Sequence, residues 1–424
     1  MGIFSRKIIS NSLWMMLEKF IGIFGVIFVM SYVAKYIGPD NFGKIALATT
    51  LFTFVQTLTW FGNQEILFKR VSKNTQSGLA YLTNTQNTRC LLFLILSLPI
   101  LSGLYNFTDS LTFIFGIATA FASFFLTQDI YNIYNNATLN SYINAIVNVT
   151  GLGVAVLIRY LIVLWQLDYA YLAIPIVLVT LIPYLLKRYI FNRMQHVKTV
   201  SEKRYRKYYF MAGGALVISS LAVSFYTQIT SLMLVAVMST HELGLYAAAI
   251  TIGSSWSFVN LAIITSVMSR IYQENDTYQS YAMTAKLNGV IMVISFIVVL
   301  ILFLLGHWII KLLYGKAFES AYPLLVVLGL ATMLSGLGTV TTRFMIKQES
   351  YAYISKKMLW VAISALPISY VMINAFGLMG ATYSVFTIEL LSLTVFNYFY
   401  KNGLIFKIHF YPFFKRNLKL KHLG

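Results

Sequence analysis

Residues 187–207 read KRYIFNRMQHVKTVSEKRYRK, and they form the longest polar segment of a chain of 424 residues. Around this segment the chain is strongly apolar, with 58% hydrophobic and only 11% charged residues. A soluble domain has about 45–50% apolar and about 25% charged residues, so ordinary water-soluble folds are excluded. We therefore interpret the polar segment as a loop in water between two groups of membrane-spanning helices.

A helix of about 20 apolar residues crosses a bilayer core, and lipid offers no partner to an unpaired backbone amide. On this basis hydropathy predicts an all-α polytopic membrane protein with twelve spans, six on each side of the polar segment. The spans lie near residues 10–36, 44–66, 87–105, 110–135, 142–165, 168–190, 210–238, 245–269, 285–306, 321–343, 356–376 and 379–400. The predicted domains are an N-terminal six-helix lobe, a basic linker, a C-terminal six-helix lobe and a tail, at residues 1–190, 191–209, 210–400 and 401–424.

The two halves of the chain resemble each other at an offset of 201 residues. Phe42–Thr50 reads FGKIALATT, and Leu243–Thr251 reads LGLYAAAIT. Each segment follows the first predicted span of its half. Because each half has an even number of spans, both halves enter the membrane in the same sense. This indicates parallel repeats around a central cavity.

The positive charge of the chain predicts its topology. Lysine and arginine number 32 against 13 acids, a net charge of +19. With the N-terminus inside, 26 of the 32 basic residues fall in inner loops and termini. Cytoplasmic loops carry this excess, so both termini are predicted to be cytoplasmic and no nucleic-acid partner is expected. The tail from Lys401 mixes aromatic and basic residues, which is typical of an anchor on the anionic inner leaflet.

Few residues could support covalent or metal chemistry. Cys90 is the one cysteine of the sequence, so no intramolecular disulfide can form. There is no Walker motif for ATP. The five histidines lack metal-ligand spacing. We therefore expect no cofactor and no metal, and a protein that is not an enzyme. The histidines are His196, His241, His307, His409 and His422.

Three motifs resemble one family of transporters. Lys35–Gly43 reads KYIGPDNFG and resembles the RYLGP-x-x-FG signature after the first helix of polysaccharide-exporting flippases. Leu313–Phe318 with Ala321–Leu325 is similar to the loop between helices 9 and 10 of that family. Gly377–Ala381, with Glu389 beyond it, is similar to the start of helix 12. The chain thus resembles the Wzx-type O-antigen and capsular polysaccharide repeat-unit flippases of the MOP (MATE-like) superfamily.

The resemblance implies a fold, a substrate and a location. The fold is two six-helix lobes around a cavity that opens alternately to each side of the bacterial inner (plasma) membrane. The substrate is an undecaprenyl-diphosphate-linked oligosaccharide, such as a lipopolysaccharide repeat unit, moved from the cytoplasmic to the outer leaflet. Coupling to a proton or sodium gradient is also implied. We expect a monomer among membrane lipids, with the polysaccharide polymerase and chain-length regulator as partners. Lys35 replaces a more usual arginine, which argues against a guanidinium-specific role there.

Polar residues inside spans are the candidates for substrate binding, because a polar face should not meet lipid. Amides on spans 2, 5 and 8 predict a wet cavity, whereas serine and threonine stripes are equally consistent with helix packing. Two cations inside spans would attract a diphosphate, with snorkelling to the interface as the alternative. The candidate residues are Arg159, Lys19, Gln56, Asn63, Asn144, Asn148 and Asn260.

Carboxyl groups inside spans are the candidates for the coupling ion. A carboxyl group removed from water can exchange a proton at physiological pH. Glu389 lies deepest, in span 12, followed by Glu18 in span 1 and Asp129 at the inner end of span 4. For each of them, a structural ion pair with lysine or arginine is the alternative.

Two other functions share part of this pattern. A MATE-like antiporter of small molecules or drug cations would have the same plan, although Arg159 and Lys19 favour an anionic substrate. A glycan polymerase or membrane acyltransferase would need a large outer loop or a membrane-embedded histidine. The outer loops here are short, and His241 and His307 are expected at the interface.

Overall fold

The computed structural model describes residues 6–194 and 202–410 of the chain. All regular structure within these residues is helical, and no β-strand occurs among them. The predicted all-α membrane fold is therefore confirmed. His196, His422, linker residues 195–201 and tail residues 411–424 lie outside the described residues.

The chain forms two compact units, Met1–Ser224 and Phe225–Gly424. The first unit contains α1 Arg6–Trp60, α2 Asn63–Lys73, α3 Thr75–Asn84, α4 Gln86–Phe107, α5 Ser110–Gln128, α6 Ile130–Ala137, α7 Ser141–Leu164, a 3₁₀ turn Tyr169–Leu172 and α8 Ala173–Met194. Helix α9, Glu202–Val237, runs across the boundary. The second unit continues with α10 Thr240–Ser255, α11 Ser257–Gln273, α12 Thr277–Tyr314, a 3₁₀ turn Lys316–Ala321, α13 Tyr322–Lys347, α14 Tyr351–Leu393, α15 Val395–Tyr398 and α16 Leu404–Phe410.

Ten helical stretches of the described residues are long and apolar enough to cross a membrane. Two of them, Leu13–Trp60 and Tyr351–Tyr398, have 48 residues each. Such a helix is about 72 Å long, more than twice a bilayer core of about 30 Å. Each is broken by a glycine in a non-helical conformation, Gly38 at φ 75° and Gly377 at φ 57°. Each long stretch therefore holds two crossings, which agrees with the twelve predicted spans.

Some predicted spans are interrupted where hydropathy shows no break. The span predicted near residues 110–135 is divided at Asp129, and the span near 245–269 is divided at Trp256. The span near 44–66 ends early, because Phe61 and Gly62 take left-handed conformations between α1 and α2. Each break involves only one or two residues, so an average of hydropathy over a whole span passes over it.

Close backbone approach fixes the packing of α7 against α8 in the first unit. A Cβ atom at Gly151 would lie 2.5 Å from the ring of Pro183. Glycine is therefore required at this contact, which lies on the polar face of α7. This face includes Asn144 and Arg159, which are both buried.

Candidate functional site

The first unit contains an open cavity of about 510 Å³, within the range of about 300–1,000 Å³ that small-molecule sites occupy. Its wall combines four amides and one carboxylate with aromatic and aliphatic side chains. These residues come from the ends of the second and fourth predicted spans. The lining residues, which define the amide cavity, are Gln56, Trp60, Gln64, Phe68, Leu126, Asp129, Asn132, Ile133 and Asn136.

Two helix breaks place polar side chains in this wall. Helix α1 ends at Trp60, and α2 begins after a turn at Phe61 and Gly62. Helix α5 gives way to α6 at Asp129, whose Oδ1 accepts a hydrogen bond from the backbone N of Asn132 at 3.2 Å. Helix ends leave backbone groups unpaired, so polar side chains that can bond to them collect there. The same residues then face the cavity.

Asn144 holds the amide side chains of α6 in place from behind the residues that line the amide cavity. Its side chain is fully buried, and its Nδ2 donates to the Oδ1 atoms of Asn132 and Asn136, each at 3.0 Å. Its own Oδ1 accepts from Nδ2 of Asn135 at 2.8 Å. Sequence reasoning proposed Asn144 as a substrate-binding residue. The structure places it behind the residues that line the cavity.

Asp129 has a cationic partner. Nζ of Lys187, on α8, lies 2.7 Å from Oδ2 of Asp129. The Lys187 side chain is 1% exposed and the Asp129 side chain is 9% exposed. Breaking such a buried pair leaves one charge uncompensated, so the pair holds α8 against the α5–α6 break. This contact matches the structural alternative considered for Asp129.

Arg89 lies behind Trp60 and is completely buried. Its guanidinium carbon is 5.3 Å from the centroid of the Trp60 ring, and Nη1 donates to Oγ1 of Thr85 at 2.8 Å. Among the described residues, no carboxylate lies within 4 Å of it. Sequence reasoning missed Arg89 because its charge assigned it to a cytoplasmic loop.

Two of the amides proposed on span 2 have different surroundings. Gln56 lines the amide cavity, and its Nε2 donates to Oγ of Ser123 at 2.8 Å. Asn63 is 1% exposed, donates to the backbone oxygen of Tyr209 at 3.2 Å and accepts from the hydroxyl of Tyr81 at 2.5 Å. Gln56 can therefore meet a ligand directly, whereas Asn63 holds the helix break in place.

The amide cavity is not lined by Glu18 and Lys19 of α1 or by Asn148 and Arg159 of α7. Nδ2 of Asn148 donates to Oε1 of Glu18 at 2.5 Å, which joins the two helices. Lys19 is exposed on α1. Arg159 is 8% exposed, and no carboxylate of the described residues lies within 4 Å of it. These residues therefore form no single site with Gln56.

The second unit has a cavity of its own, of about 260 Å³. Glu389 is its one charged lining residue among those described, and the Ser335 side chain lines the cavity with it. Lys357 is 4% exposed and interacts electrostatically with Glu389 without reaching ion-pair distance. The residues that define this carboxylate cavity are Tyr226, Thr227, Tyr246, Ile250, Ser254, Leu328, Ala331, Thr332, Ser335, Val385, Ile388 and Glu389.

Asn260 and His409 belong to the interior of the second unit. Asn260 is 2% exposed, and its Nδ2 donates to Oγ of Ser295 at 3.3 Å. The ring of His409 contacts the Thr341 hydroxyl at 3.1 Å and the Tyr398 hydroxyl at 3.3 Å. Burial, with a smaller effect from Lys357, lowers the pKa of His409 to about 4, so its ring is neutral at pH 7.

A family model described as "Polysaccharide biosynthesis protein" matches residues 8–271, which is well over half of the chain. The chain belongs to this family. No protein of curated function matches the sequence significantly.

Solved structures similar to this polysaccharide biosynthesis protein include a lipid flippase and multidrug transporters. The inward-closed lipid II flippase MurJ matches with a TM-score of 0.67 and 14% identity, over 95% of this chain and 90% of that chain. An inward-facing multidrug resistance MATE family transporter of the MOP superfamily matches with a TM-score of 0.62 and 14% identity, over 96% of each chain. An outward-facing multidrug resistance MATE family transporter matches with a TM-score of 0.60 and 13% identity, over 95% of this chain and 96% of that chain. These similarities show the MATE-like, two-lobe fold.

Proposed function

We propose that this protein is a flippase that moves lipid-linked oligosaccharides from the cytoplasmic to the outer leaflet of the bacterial inner membrane by alternating access. The observation that carries the proposal is the amide cavity. This cavity is lined by side chains that can form hydrogen bonds, and it lies inside an apolar helical bundle. The protein belongs to the polysaccharide biosynthesis family. The glycan is attached to undecaprenyl diphosphate, as in an O-antigen repeat unit of lipopolysaccharide, and both chain termini are cytoplasmic.

The chemistry of a glycan explains why such a wall is useful. Each hydroxyl that crosses hydrocarbon without a hydrogen bond costs about 2–7 kcal/mol. Amide side chains offer both donors and acceptors, so they can replace the water that hydroxyl groups lose. A helical bundle lined only by aliphatic side chains would not reduce the free-energy cost of moving unbonded hydroxyl groups across the membrane.

The diphosphate requires cations instead. Arg159 is buried without a carboxylate within 4 Å among the described residues, and Lys19 is exposed on α1. A cation inside a membrane protein attracts a diphosphate strongly. Outward movement of negative charge is also favoured by about 2.3 kcal/mol per charge per 100 mV when the inside is negative. Arg159 and Lys19 are therefore assigned to the headgroup.

The coupling cation is assigned to the carboxylate cavity of the second unit. Glu389 lines it with Ser335 and Thr332, whose hydroxyl groups add oxygen ligands. Glu18 is engaged with Asn148, and Asp129 is paired with Lys187. Of the three acids, Glu389 has the surroundings best suited to reversible binding of a proton or sodium ion.

The carboxylate cavity also supports a second candidate function, export of small-molecule or drug cations. Tyr226 and Tyr246 line it beside Glu389, and aromatic rings with a carboxylate suit an organic cation. Solved relatives of the same fold include multidrug resistance transporters. A cation exporter would need the carboxylate cavity and not the amide cavity, so variants of Glu389 and Gln56 separate the two functions.

Depletion of the protein in cells that make a lipid-linked glycan tests the proposal. Undecaprenyl-linked repeat units should accumulate on the inner face of the membrane, and export of the polymer should stop. Re-expression of the wild type should clear the accumulated lipid, and variants that remove both charges, Arg159→Gln with Lys19→Gln, should not. Normal export and no accumulation after depletion would reject the function. Full rescue by the double variant at wild-type protein level would reject the headgroup assignment alone.

A further inference from the structure

The charges around the amide cavity limit what can enter it. Among its lining residues in the described part of the chain, only Asp129 has an acidic side chain, which is paired with Lys187 behind the wall. The guanidinium of Arg89 also lies behind the wall, on the far side of the Trp60 ring. No lysine or arginine lines the cavity. A ligand with its own negative charge would therefore meet a carboxylate and find no cation in the wall.

We propose that the amide cavity is a binding subsite for one uncharged pyranose ring of the transported glycan. It accepts neutral or N-acetylated sugars and disfavours both acidic sugars and the diphosphate. This inference rests on the proposed flippase function and names the part of the substrate that the first unit holds.

The hydrogen-bond network beneath the wall sets the direction of the α6 amides. Oδ1 of Asn132 accepts from Asn144 at 3.0 Å and from Asn136 at 3.1 Å. Oδ1 of Asn136 accepts from Asn144 at 3.0 Å and from the Ser141 hydroxyl at 2.6 Å. Both carbonyl oxygens are thus occupied. Both N–H groups of Asn132, and one of Asn136, keep no partner within the described residues and can donate to a ligand.

Acceptors also line the amide cavity. Because Nε2 of Gln56 donates to Ser123, its Oε1 is left to accept a hydrogen bond. The carboxylate of Asp129 is a further acceptor with lone pairs beyond those used by Lys187 and the backbone of Asn132. A sugar hydroxyl both donates and accepts hydrogen bonds, so it can bond to the amide donors of α6 and to the acceptors of Gln56 and Asp129. A phosphate or carboxylate at neutral pH only accepts, so it matches the donors alone.

Aromatic side chains complete the subsite. Phe68 is 43% exposed, and Trp60 is held from behind by the guanidinium of Arg89. The C–H face of a pyranose ring is apolar, and aromatic rings provide large apolar surfaces at little conformational cost. Arg89 is therefore a positioning residue for Trp60 and does not itself line the cavity.

Ligand binding to the purified full-length protein in lipid nanodiscs tests this subsite. The probes are methyl glucoside, methyl N-acetylglucosaminide, methyl glucuronide and inorganic diphosphate, followed by saturation-transfer NMR. At least one neutral glycoside should bind at least tenfold more tightly than the glucuronide, and diphosphate should not compete with it. Phe68→Ala and Gln56→Ala should each weaken neutral-glycoside binding at least fivefold. Asn374→Ala, at an exposed asparagine of the second unit, should leave it unchanged.

A charge added to the wall provides a gain-of-function test. Gln64 is exposed, so Gln64→Lys can be tolerated and adds the cation that the wall lacks. It should reduce or reverse the preference for neutral over acidic glycoside, whereas Asn374→Lys should not.

Failure of the subsite and failure of the flippase function give different results. Absence of neutral-glycoside binding, or equal binding of the glucuronide by the wild type, would overturn the subsite. So would lipid-linked glycan export that is unaffected by Phe68→Ala and Gln56→Ala. Selective glycoside binding by a protein whose depletion leaves glycan export normal would support the subsite and reject the flippase function.

Discussion

Asn144 never reaches the amide cavity, yet it orients two of the side chains that do. The residue type and span of such amides can be read from the sequence, because amides are rare and costly in apolar helices. Whether such an amide lines a cavity or lies behind it depends on helix packing at positions such as Gly151. The sequence around Gly151 does not show which helix will pack there. The burial of Arg89 could not be predicted from the sequence for a related reason. An arginine in a loop and a buried arginine at the end of a span have the same hydropathy.

Replacement of Asp129 by asparagine tests the buried ion pair. Asp129→Asn leaves Lys187 buried without its counter-charge, so we expect a loss of about 3–5 kcal/mol of stability and a lower melting temperature in detergent. The double variant Asp129→Asn with Lys187→Met should recover most of that loss. An unchanged melting temperature in the single variant would show that the pair does not hold α8 in place.

Gln128 offers a stabilising substitution. Its side chain is 3% exposed, and neither Nε2 nor Oε1 has a hydrogen-bond partner within the described residues. An unsatisfied buried polar group costs about 1–3 kcal/mol, so Gln128→Met should raise the melting temperature. Gln273→Met, at an exposed glutamine, should change it little. A lower melting temperature for Gln128→Met would mean that the amide bonds to a group outside the protein.

At the level of helices, hydropathy predicts the twelve crossings but not how neighbouring ones connect. Gly38 and Gly377 each turn the chain within a long helical stretch, where the sequence suggested ordinary loops. The breaks at Asp129 and Trp256 were not predicted, because one or two residues in a non-helical conformation do not change an average over a span. Those breaks matter for function, since the one at Asp129 forms part of the amide cavity.

The turn at Gly38 can be tested against a matched glycine. A Cβ atom at Gly38 would meet no atom within 4 Å, so any cost of Gly38→Ala comes from its φ of 75° and ψ of 173°. Side chains are strongly disfavoured there, and we expect a loss of about 1–3 kcal/mol. Gly289 also has open space but is helical, so Gly289→Ala should be neutral or stabilising. Equal melting temperatures for the two variants would contradict this account.

At the level of the whole molecule, the +19 charge is explained by topology more than by substrate. The loops and termini predicted to be cytoplasmic hold 26 of the 32 basic residues. The amide cavity has no basic residue in its wall among those described, which the overall charge would not suggest. The distribution of basic residues among the loops and termini therefore predicts the orientation of the chain, and the lining of the amide cavity underlies the proposed sugar subsite.

Cysteine labelling in intact cells measures that orientation. In a Cys90→Ala background, a membrane-impermeant maleimide should label Asn106→Cys and Lys316→Cys without permeabilisation. Gln76→Cys should react only after the membrane is opened. All three positions are exposed, so differences in labelling report the side of the membrane. The reverse pattern would invert the predicted topology.

Reconstitution measures lipid-linked glycan translocation directly. Purified protein is placed in liposomes that contain a lipid-diphosphate-linked oligosaccharide, and the glycan reaching the opposite leaflet is measured with a glycosidase confined to that side. We expect protein-dependent translocation that Gln56→Ala with Phe68→Ala abolishes and that Asn374→Ala leaves intact. Translocation no faster than in protein-free liposomes, under an imposed proton or sodium gradient, would contradict this expectation.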